Sequence, residues 1–302
     1  MTCSEIMHET VEALIRYAAE GSVIEELDIQ KLCRIQLLEL YEELGNILIA
    51  SANTVIKAHP LADERLTLLL GAVLKLKEAT KAIMMLGKAG LGDEMNVLLR
   101  TQVETITNIC YLQHASDEEF SRFIHHDPIV GYIAMLDIER ASKGKLRVPS
   151  VLASRVKGHA EAAREASGSD LDRRVWSGET KTLKQRADFV DERMGDLDFG
   201  QMLALTYAMG SGYTHGSYKT IHKHGLILTT GNAEHPLSNM FGVNNVIHGI
   251  GYVTLIFCRY FSMRFNLPRD RINELAADTV RIIEVAGADY RSWKRRAQVS
   301  GS

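Results

Sequence analysis

Cysteine is scarce in this sequence, with only Cys3, Cys33, Cys110 and Cys258 among 302 residues. No two of them are spaced as a CxxC pair, and so few cysteines in so long a chain do not form a typical disulfide framework. The pattern therefore lacks the common zinc signatures and predicts buried thiols in a reducing compartment. We expect no metal, no cofactor and a cytoplasmic location.

An excess of charge of one sign is also missing, because 35 basic residues face 38 acidic ones and the formal net charge is −3. This balance gives no overall case for a nucleic-acid coat or an anionic membrane, although a local basic groove stays open. The most apolar stretch, Val246 to Phe261, is short and contains His248 and Arg259. We expect it to be a buried core helix, and we expect no membrane partner. The N-terminal residues do not have the pattern of a secretory signal.

Helical periodicity is what the sequence does contain, along nearly its whole length. One apolar face recurs every three or four residues at Cys33, Leu37, Leu40, Leu44 and Ile47. Capping and breaking residues predict helices near 4–21, 28–58, 62–86, 93–114, 149–166, 198–218, 239–265 and 269–293. Between the fourth and fifth of these, Ser116 caps a short helix and Pro128 begins a separate one.

The predicted fold is therefore all-α: a multi-helix bundle built on long antiparallel helices, with little or no β structure. We expect a single helical domain over residues 1–302. The polar stretch 142–179 is the weakest candidate for a boundary.

Common catalytic motifs are absent, so a site has to be sought among polar residues at helical spacing. One stripe consists of Arg100, Glu104, Asn108 and Tyr111, which share a helix face next to an apolar one. The stripe is predicted to lie at the edge of the core. The alternative interpretation of Arg100 and Glu104 is an ordinary surface ion pair.

A second stripe consists of Tyr207, Ser211 and His215, each four residues from the next. Gly210, Gly212 and Gly216 lie among them, and glycines inside a helix often let a ligand or another helix approach the backbone. We predict that the two stripes face each other across a helix crossing. The alternative is a packed crossing in which His215 is a hydrogen-bonded core histidine.

Other histidines offer weaker sites. Arg122 precedes His125 and His126, and a further set follows His215 at His222, His224 and His235. None of these groups has a carboxylate or cysteine at a spacing that would complete a zinc site, which is why no metal is expected.

Three short motifs resemble an all-helical bacterial family known as domain of unknown function 5677. They are the Arg-x3-Glu helix within Leu98 to Leu112, the Trp176-Ser177-Gly178 segment with the basic helix after it, and the Tyr-x3-Ser-x3-His-Gly signature from Tyr207 to Gly216. The resemblance covers roughly residues 30–265. It implies a helical fold with a polar cluster of Arg100, Glu104, Tyr207, Ser211 and His215, often in genes of mobile-element or defence type, but it implies no established activity.

A fainter similarity links the second stripe to the helical HEPN ribonucleases, which place an arginine and a histidine close together on one helix. Ser211 stands where that arginine would be expected, so the motif is not met; Arg100 would have to supply the cation from another helix. This is an analogy at the level of the fold.

Two functions follow as hypotheses. The first is a metal-independent nuclease or phosphoryl-transfer enzyme of a bacterial defence or toxin type, acting on RNA or another phosphate-bearing ligand. The second is a non-catalytic ligand-sensing or protein-interaction module in which the same residues form a structural polar network. A homodimer or a partner protein fits either hypothesis. A deep pocket containing His215 would favour the enzyme, and a fully packed cluster would favour the module.

Overall fold

The computed structural model describes residues 26–59, 63–89, 91–143, 145–167, 181–195, 197–204, 206 and 236–282. Throughout these ranges the chain forms α-helices, turns and short connections, with no β-strand. The all-α prediction is therefore confirmed. The predicted helix near 4–21 and most of the predicted helix 198–218 lie outside the described residues.

The described helices are α1 (Glu26–Ala58), α2 (Glu64–Lys88), α3 (Gly92–Leu112), α4 (Asp117–Ala141), α5 (Ser150–Ser167), α6 (Leu183–Met194), α7 (199–204), α8 (Pro236–Arg264) and α9 (270–282). Side-chain caps set where some of them begin. Asp63 accepts a hydrogen bond from the Leu66 amide at 2.7 Å, and Ser116 accepts one from the Glu119 amide at 3.2 Å. Because these caps are local, the sequence predicts the helix starts to within a few residues.

The prediction of a helix break at Pro128 is wrong. Residues Asp117–Ala141 form one continuous helix, and Pro128 lies inside it rather than at its first position. An internal proline removes one helix hydrogen bond and costs about 3 kcal/mol. Burial of Phe120 before the proline and Ile129 after it, together with packing against α5, offsets that cost.

Two compact units make up the chain: residues 1–106 together with 191–302, and residues 107–190. The single domain, with its weakest candidate boundary within 142–179, stays a prediction. In the first unit α1, α2 and α8 pack on one another around buried Leu44, Leu76 and Phe257. In the second unit α4 and α5 pack along each other, and α5 buries only Ala160 and Ala163.

Helix α8 supplies the centre of the first unit. Its segment Val246–Arg264 is long and apolar enough to meet the length and composition test for a membrane span, but 78% of the tested window is buried inside the protein. A core helix of this kind passes the same test. The prediction of a buried core helix is confirmed.

Two glycines of α8 allow unusually close contacts within the first unit. A Cβ atom added to Gly251 would lie 1.9 Å from Cζ of Tyr41 on α1, and one added to Gly249 would lie 2.4 Å from Cδ2 of Leu99 on α3. Tyr41 and Leu99 are themselves buried. The absence of a side chain at Gly251 therefore admits α1 to one face of α8, and its absence at Gly249 admits α3 to another.

Asp191 fixes the start of α7. Its Oδ1 and Oδ2 atoms accept hydrogen bonds from the backbone amides of Phe199 and Gly200, both at 2.9 Å. These amides belong to the first turn of the helix, where backbone donors have no partner inside the helix. A carboxylate there satisfies them and also interacts favourably with the helix dipole.

Replacing Asp191 with alanine is expected to lower the free energy of unfolding by about 2 kcal/mol, because two charge-assisted hydrogen bonds are lost. Urea denaturation would measure the loss. Asp63→Ala is the matched control, since it removes a cap with one amide bond and should cost about 1 kcal/mol. An Asp191→Ala protein no less stable than the control would contradict this account of α7.

Candidate functional site

Arg100 and Glu104 form an ion pair on α3. The Arg100 Nε atom donates to Glu104 Oε1 at 2.9 Å, as their four-residue spacing predicts. The Arg100 side chain is 14% exposed and that of Glu104 is 37% exposed, while Leu99 and Val103 beside them are buried. The pair thus lies at the edge of the core, where a guanidinium is partly dehydrated and held in one orientation. Both side chains have further interactions besides this pair.

His248 lies on α8 and precedes Gly249, whose backbone packs against Leu99, the neighbour of Arg100 on α3. The Nδ1 atom of His248 is buried and has no hydrogen-bond partner among the described residues. Burial lowers the pKa of His248 below its usual range, so the imidazole is neutral at pH 7. In the sequence this histidine counted only as an interruption of an apolar stretch.

The buried imidazole predicts a dependence of stability on pH. The unfolded chain takes up a proton at His248 near pH 6.5, whereas the folded chain does so only at a lower pH. Burying the neutral imidazole of His248 is therefore compatible with the folded state above about pH 6.5. As the pH falls from there through the folded pKa, the free energy of unfolding decreases because the unfolded chain binds the proton more readily. Between about pH 7 and pH 5 the Tm of the wild type should fall more steeply than that of His248→Gln. Parallel curves would contradict the assignment.

Tyr207, Ser211 and His215 lie outside the described residues. The crossing between their stripe and the pair Arg100–Glu104 therefore stays a prediction.

In the second unit, a polar cluster forms where the end of α3 meets the starts of α4 and α6. We call it the Tyr111 cluster; its members are Asn108, Tyr111, Glu119, Lys181 and Arg186. The Tyr111 hydroxyl donates to Glu119 Oε1 at 2.6 Å and accepts from Lys181 Nζ at 2.8 Å. Arg186 donates from Nη1 to Asn108 Oδ1 at 2.7 Å and from Nη2 to the Lys181 carbonyl at 2.8 Å.

Local capping positions the cationic members of this cluster. The Thr182 amide donates to Gln185 Oε1 at 2.8 Å and the Gln185 amide donates to Thr182 Oγ1 at 3.2 Å, which is a reciprocal capping box at the start of α6. Lys181 immediately precedes this box and Arg186 immediately follows it. The sequence thus sets α6 so that both cations reach Tyr111 and Asn108.

Burial within the Tyr111 cluster shifts the pKa values of Tyr111 and Arg186. Burial, followed by the hydrogen bond to Glu119 and its charge, raises the pKa of Tyr111 far above its ordinary value, so the hydroxyl stays protonated. Burial lowers the pKa of Arg186, while the neighbouring Tyr111 and Glu119 act in the opposite direction. Lys181 lies over the rings of Tyr111 and Phe189, 4.9 and 5.1 Å from their centroids. The Glu119 carboxylate thus faces two cations, Lys181 and Arg186. About a third of the Lys181 side chain is exposed.

Sequence reasoning identifies two of the five members of this cluster, because Asn108 and Tyr111 belong to the predicted polar stripe. It misses Glu119, Lys181 and Arg186 as site residues. The signal for Arg186 is the basic helix after Trp176-Ser177-Gly178, which belongs to the family resemblance.

A pocket of about 200 Å³ lies elsewhere in the first unit, on α1, α2 and α8. Tyr41, Lys77 and Thr254 are among its lining residues, and neither Arg100 nor Glu104 lines it. Among the residues that the structure describes, no group of three or more His, Cys, Asp or Glu side chains is arranged to hold a metal ion. The buried thiols Cys110 and Cys258 are therefore not parts of such a group.

Comparison with known proteins gives one match. The model of the family described as "Family of unknown function (DUF5677)" matches residues 66–233, more than half of the chain. The matched range contains both predicted stripes and the whole Tyr111 cluster. No curated protein and no solved structure matches the chain.

Proposed function

The chain belongs to the family of unknown function DUF5677, and we propose that it is a metal-independent nuclease, or a related phosphoryl-transfer enzyme, of a bacterial defence or toxin type. The proposed substrate is RNA. RNA carries its own nucleophile, the 2′-hydroxyl, next to each phosphorus atom, so cleavage needs proton transfer and charge stabilisation but no metal.

In the proposed reaction His215 takes the proton from the 2′-hydroxyl, whose oxygen attacks the adjacent phosphorus. The bond to the 5′-oxygen breaks, and that oxygen takes up a proton from water as it leaves, while His215 returns its proton to the solvent; the products are a 2′,3′-cyclic phosphate and a 5′-hydroxyl. Arg100 stabilises the charge that develops on the phosphoryl oxygens. Glu104 orients Arg100, and Tyr207 and Ser211 donate hydrogen bonds to the substrate.

The observation that carries this proposal is the geometry of Arg100. Its guanidinium is held by Glu104 at 2.9 Å, and its side chain is only 14% exposed. An arginine that is fixed and partly dehydrated in this way binds a phosphate more strongly than one that is free in water. The reason is that binding then costs less free energy for ordering and dehydrating the guanidinium. A surface ion pair of ordinary kind would leave both partners more exposed.

A second function has a specific observation in its favour. In the Tyr111 cluster the hydrogen bonds run between the members themselves and join three helix ends of the second unit. Such a network fixes packing without any chemistry. The alternative proposal is therefore a non-catalytic ligand-sensing or protein-interaction module.

The experiment measures cleavage of a mixed RNA pool by the wild type and by Arg100→Gln, with DNA of the same sequences as the substrate control. Under the nuclease proposal the wild type cleaves RNA, leaves cyclic phosphate ends and spares DNA. Removing the arginine should lower the rate by roughly 10²–10³-fold, as loss of one donor to a developing charge does elsewhere.

Arg281→Gln is the matched protein control. Arg281 forms an exposed ion pair with Asp278 at 3.4 Å on α9, so its loss should leave cleavage unchanged. A wild type that cleaves no RNA would exclude the nuclease proposal and favour the non-catalytic ligand-sensing or protein-interaction module. A wild type whose products carry no cyclic phosphate contradicts the role given to the 2′-hydroxyl.

A further inference from the structure

The distal half of the α4–α5 hairpin has no core of its own. No described residue from 130 to 159 is buried, although both helices are continuous there. We call these residues the arm. Six of the thirteen large apolar side chains that are exposed among the described residues lie in it: Val130, Leu136, Ile138, Leu146, Val151 and Leu152.

Positive charge is concentrated in the part of the arm around its turn. Residues 140–157 contain no Asp or Glu and six basic residues: Arg140, Lys143, Lys145, Arg147, Arg155 and Lys157. Arg140 pairs with Asp137 and Lys157 pairs with Glu161, both acids lying outside this stretch. For the other four, which are exposed, the described part of the chain supplies no carboxylate partner. The net charge of −3 for the whole chain conceals this local excess.

Hydrogen bonds connect described residues on the two sides of the turn at the end of the arm. The Ser142 Oγ atom donates to the Glu139 carbonyl at 2.9 Å and accepts from the Leu146 amide at 3.1 Å, and Glu139 Oε1 accepts from the Val148 amide at 3.2 Å. Leu146 is nevertheless 63% exposed and Val151 82% exposed. Side chains that are so exposed project from a convex surface, whereas the lining of a groove would be only partly exposed.

We propose that the arm docks on the surface of an anionic membrane without spanning it. Apolar side chains that project among lysines and arginines match such a surface. The apolar side chains enter the boundary between headgroups and acyl chains, and the lysines and arginines bind anionic headgroups. Bases of RNA would call for aromatic stacking partners, and residues 140–157 contain no aromatic side chain. The inference goes beyond the proposed nuclease function, and it departs from the expectation of no membrane partner, which rests on the balanced charge of the chain and on the interrupted apolar stretch Val246 to Phe261.

The experiment is sedimentation of the full chain with vesicles of phosphatidylcholine alone and with vesicles of equal parts phosphatidylcholine and phosphatidylglycerol. We expect binding to the anionic vesicles only, weakening as salt is added. The triple variant Lys143→Gln, Lys145→Gln, Arg147→Gln should lower the partition coefficient on the order of a hundredfold. The double variant Leu146→Ser, Val151→Ser should lower it about tenfold.

Matched controls lie on α2. Lys75→Gln removes an exposed lysine and Leu74→Ser removes a leucine that is 59% exposed, and neither should change vesicle binding. Equal binding to both kinds of vesicle would contradict the role given to the basic residues. Unchanged binding of the double variant Leu146→Ser, Val151→Ser would contradict the role given to the apolar residues. Absence of vesicle binding would overturn the inference and would not bear on RNA cleavage. A triple variant that binds anionic vesicles as the wild type does but has lost RNA binding would also overturn it.

Discussion

Replacing Gly251 with alanine is expected to lower the free energy of unfolding by roughly 3 kcal/mol. The new methyl group would lie within 1.9 to 2.5 Å of three carbon atoms of the Tyr41 ring. That ring is 2% exposed, so the clash has to be relieved either by displacing the ring toward the pocket that it lines or by separating α1 and α8, and both cost packing energy. The loss would be measured by urea denaturation, as a lower midpoint at an unchanged slope.

Gly45→Ala is the matched control, because Gly45 lies on α1 one turn after Tyr41 and a Cβ there would meet nothing within 4 Å. That substitution should be stabilising by about 0.5 to 1 kcal/mol through the lower entropy of the unfolded chain. Similar stabilities for the two alanine variants would show that the contact between α1 and α8 is looser than described. Recovery of stability in Gly251→Ala when Tyr41 is also replaced by leucine would locate the clash at the ring.

Replacing His215 with alanine is expected to reduce RNA cleavage by roughly 10²–10⁴-fold under the nuclease proposal, since a general base or acid contributes about that much. The Tm should change little. Under the module proposal the order reverses: no cleavage exists to be lost, and losing the hydrogen bonds of one partly buried imidazole lowers stability by about 1–3 kcal/mol. Cleavage of a mixed RNA pool and the Tm, measured on the same preparations, separate the two.

His224→Ala serves as the control for this measurement, because it removes an imidazole from the same part of the sequence but outside the Tyr-x3-Ser-x3-His-Gly signature. It should retain cleavage. Equal activity and equal stability of His215→Ala and the wild type would show that the catalytic histidine is another one, and His248 would then be tested first.

Most of the fold was predictable because its determinants are local. Asp63 and Ser116 cap the helices that they precede in sequence, and the spacing of Leu37, Leu40 and Leu44 identifies the face that α1 buries. Pro128 shows the limit of such reasoning. Its own preference indicates a helix start, but burial of Ile129 in the continuous helix outweighs it, and only tertiary structure reveals that burial.

The candidate site was less predictable because its contacts join distant parts of the chain. Tyr111 and Lys181 are 70 residues apart, and Asn108 and Arg186 are 78 apart. Helical spacing identifies Tyr111 and Asn108 as members of one stripe but says nothing about which side chains approach it. The same is true of His248, because its place in an apolar helix does not reveal which elements bury its imidazole. In contrast, the Arg100–Glu104 pair spans one helical turn and was found directly.

The contact between Tyr41 and Gly251 also constrains how this sequence can diverge. The Tyr41 ring fills the volume that a side chain at position 251 would need, so the two positions cannot both carry a large side chain. A lineage that gains a side chain at 251 has to reduce the residue at 41 at about the same time, and a lineage that keeps the tyrosine has to keep the glycine. Positions 41 and 251 would then vary together among relatives, although 210 residues separate them in the chain.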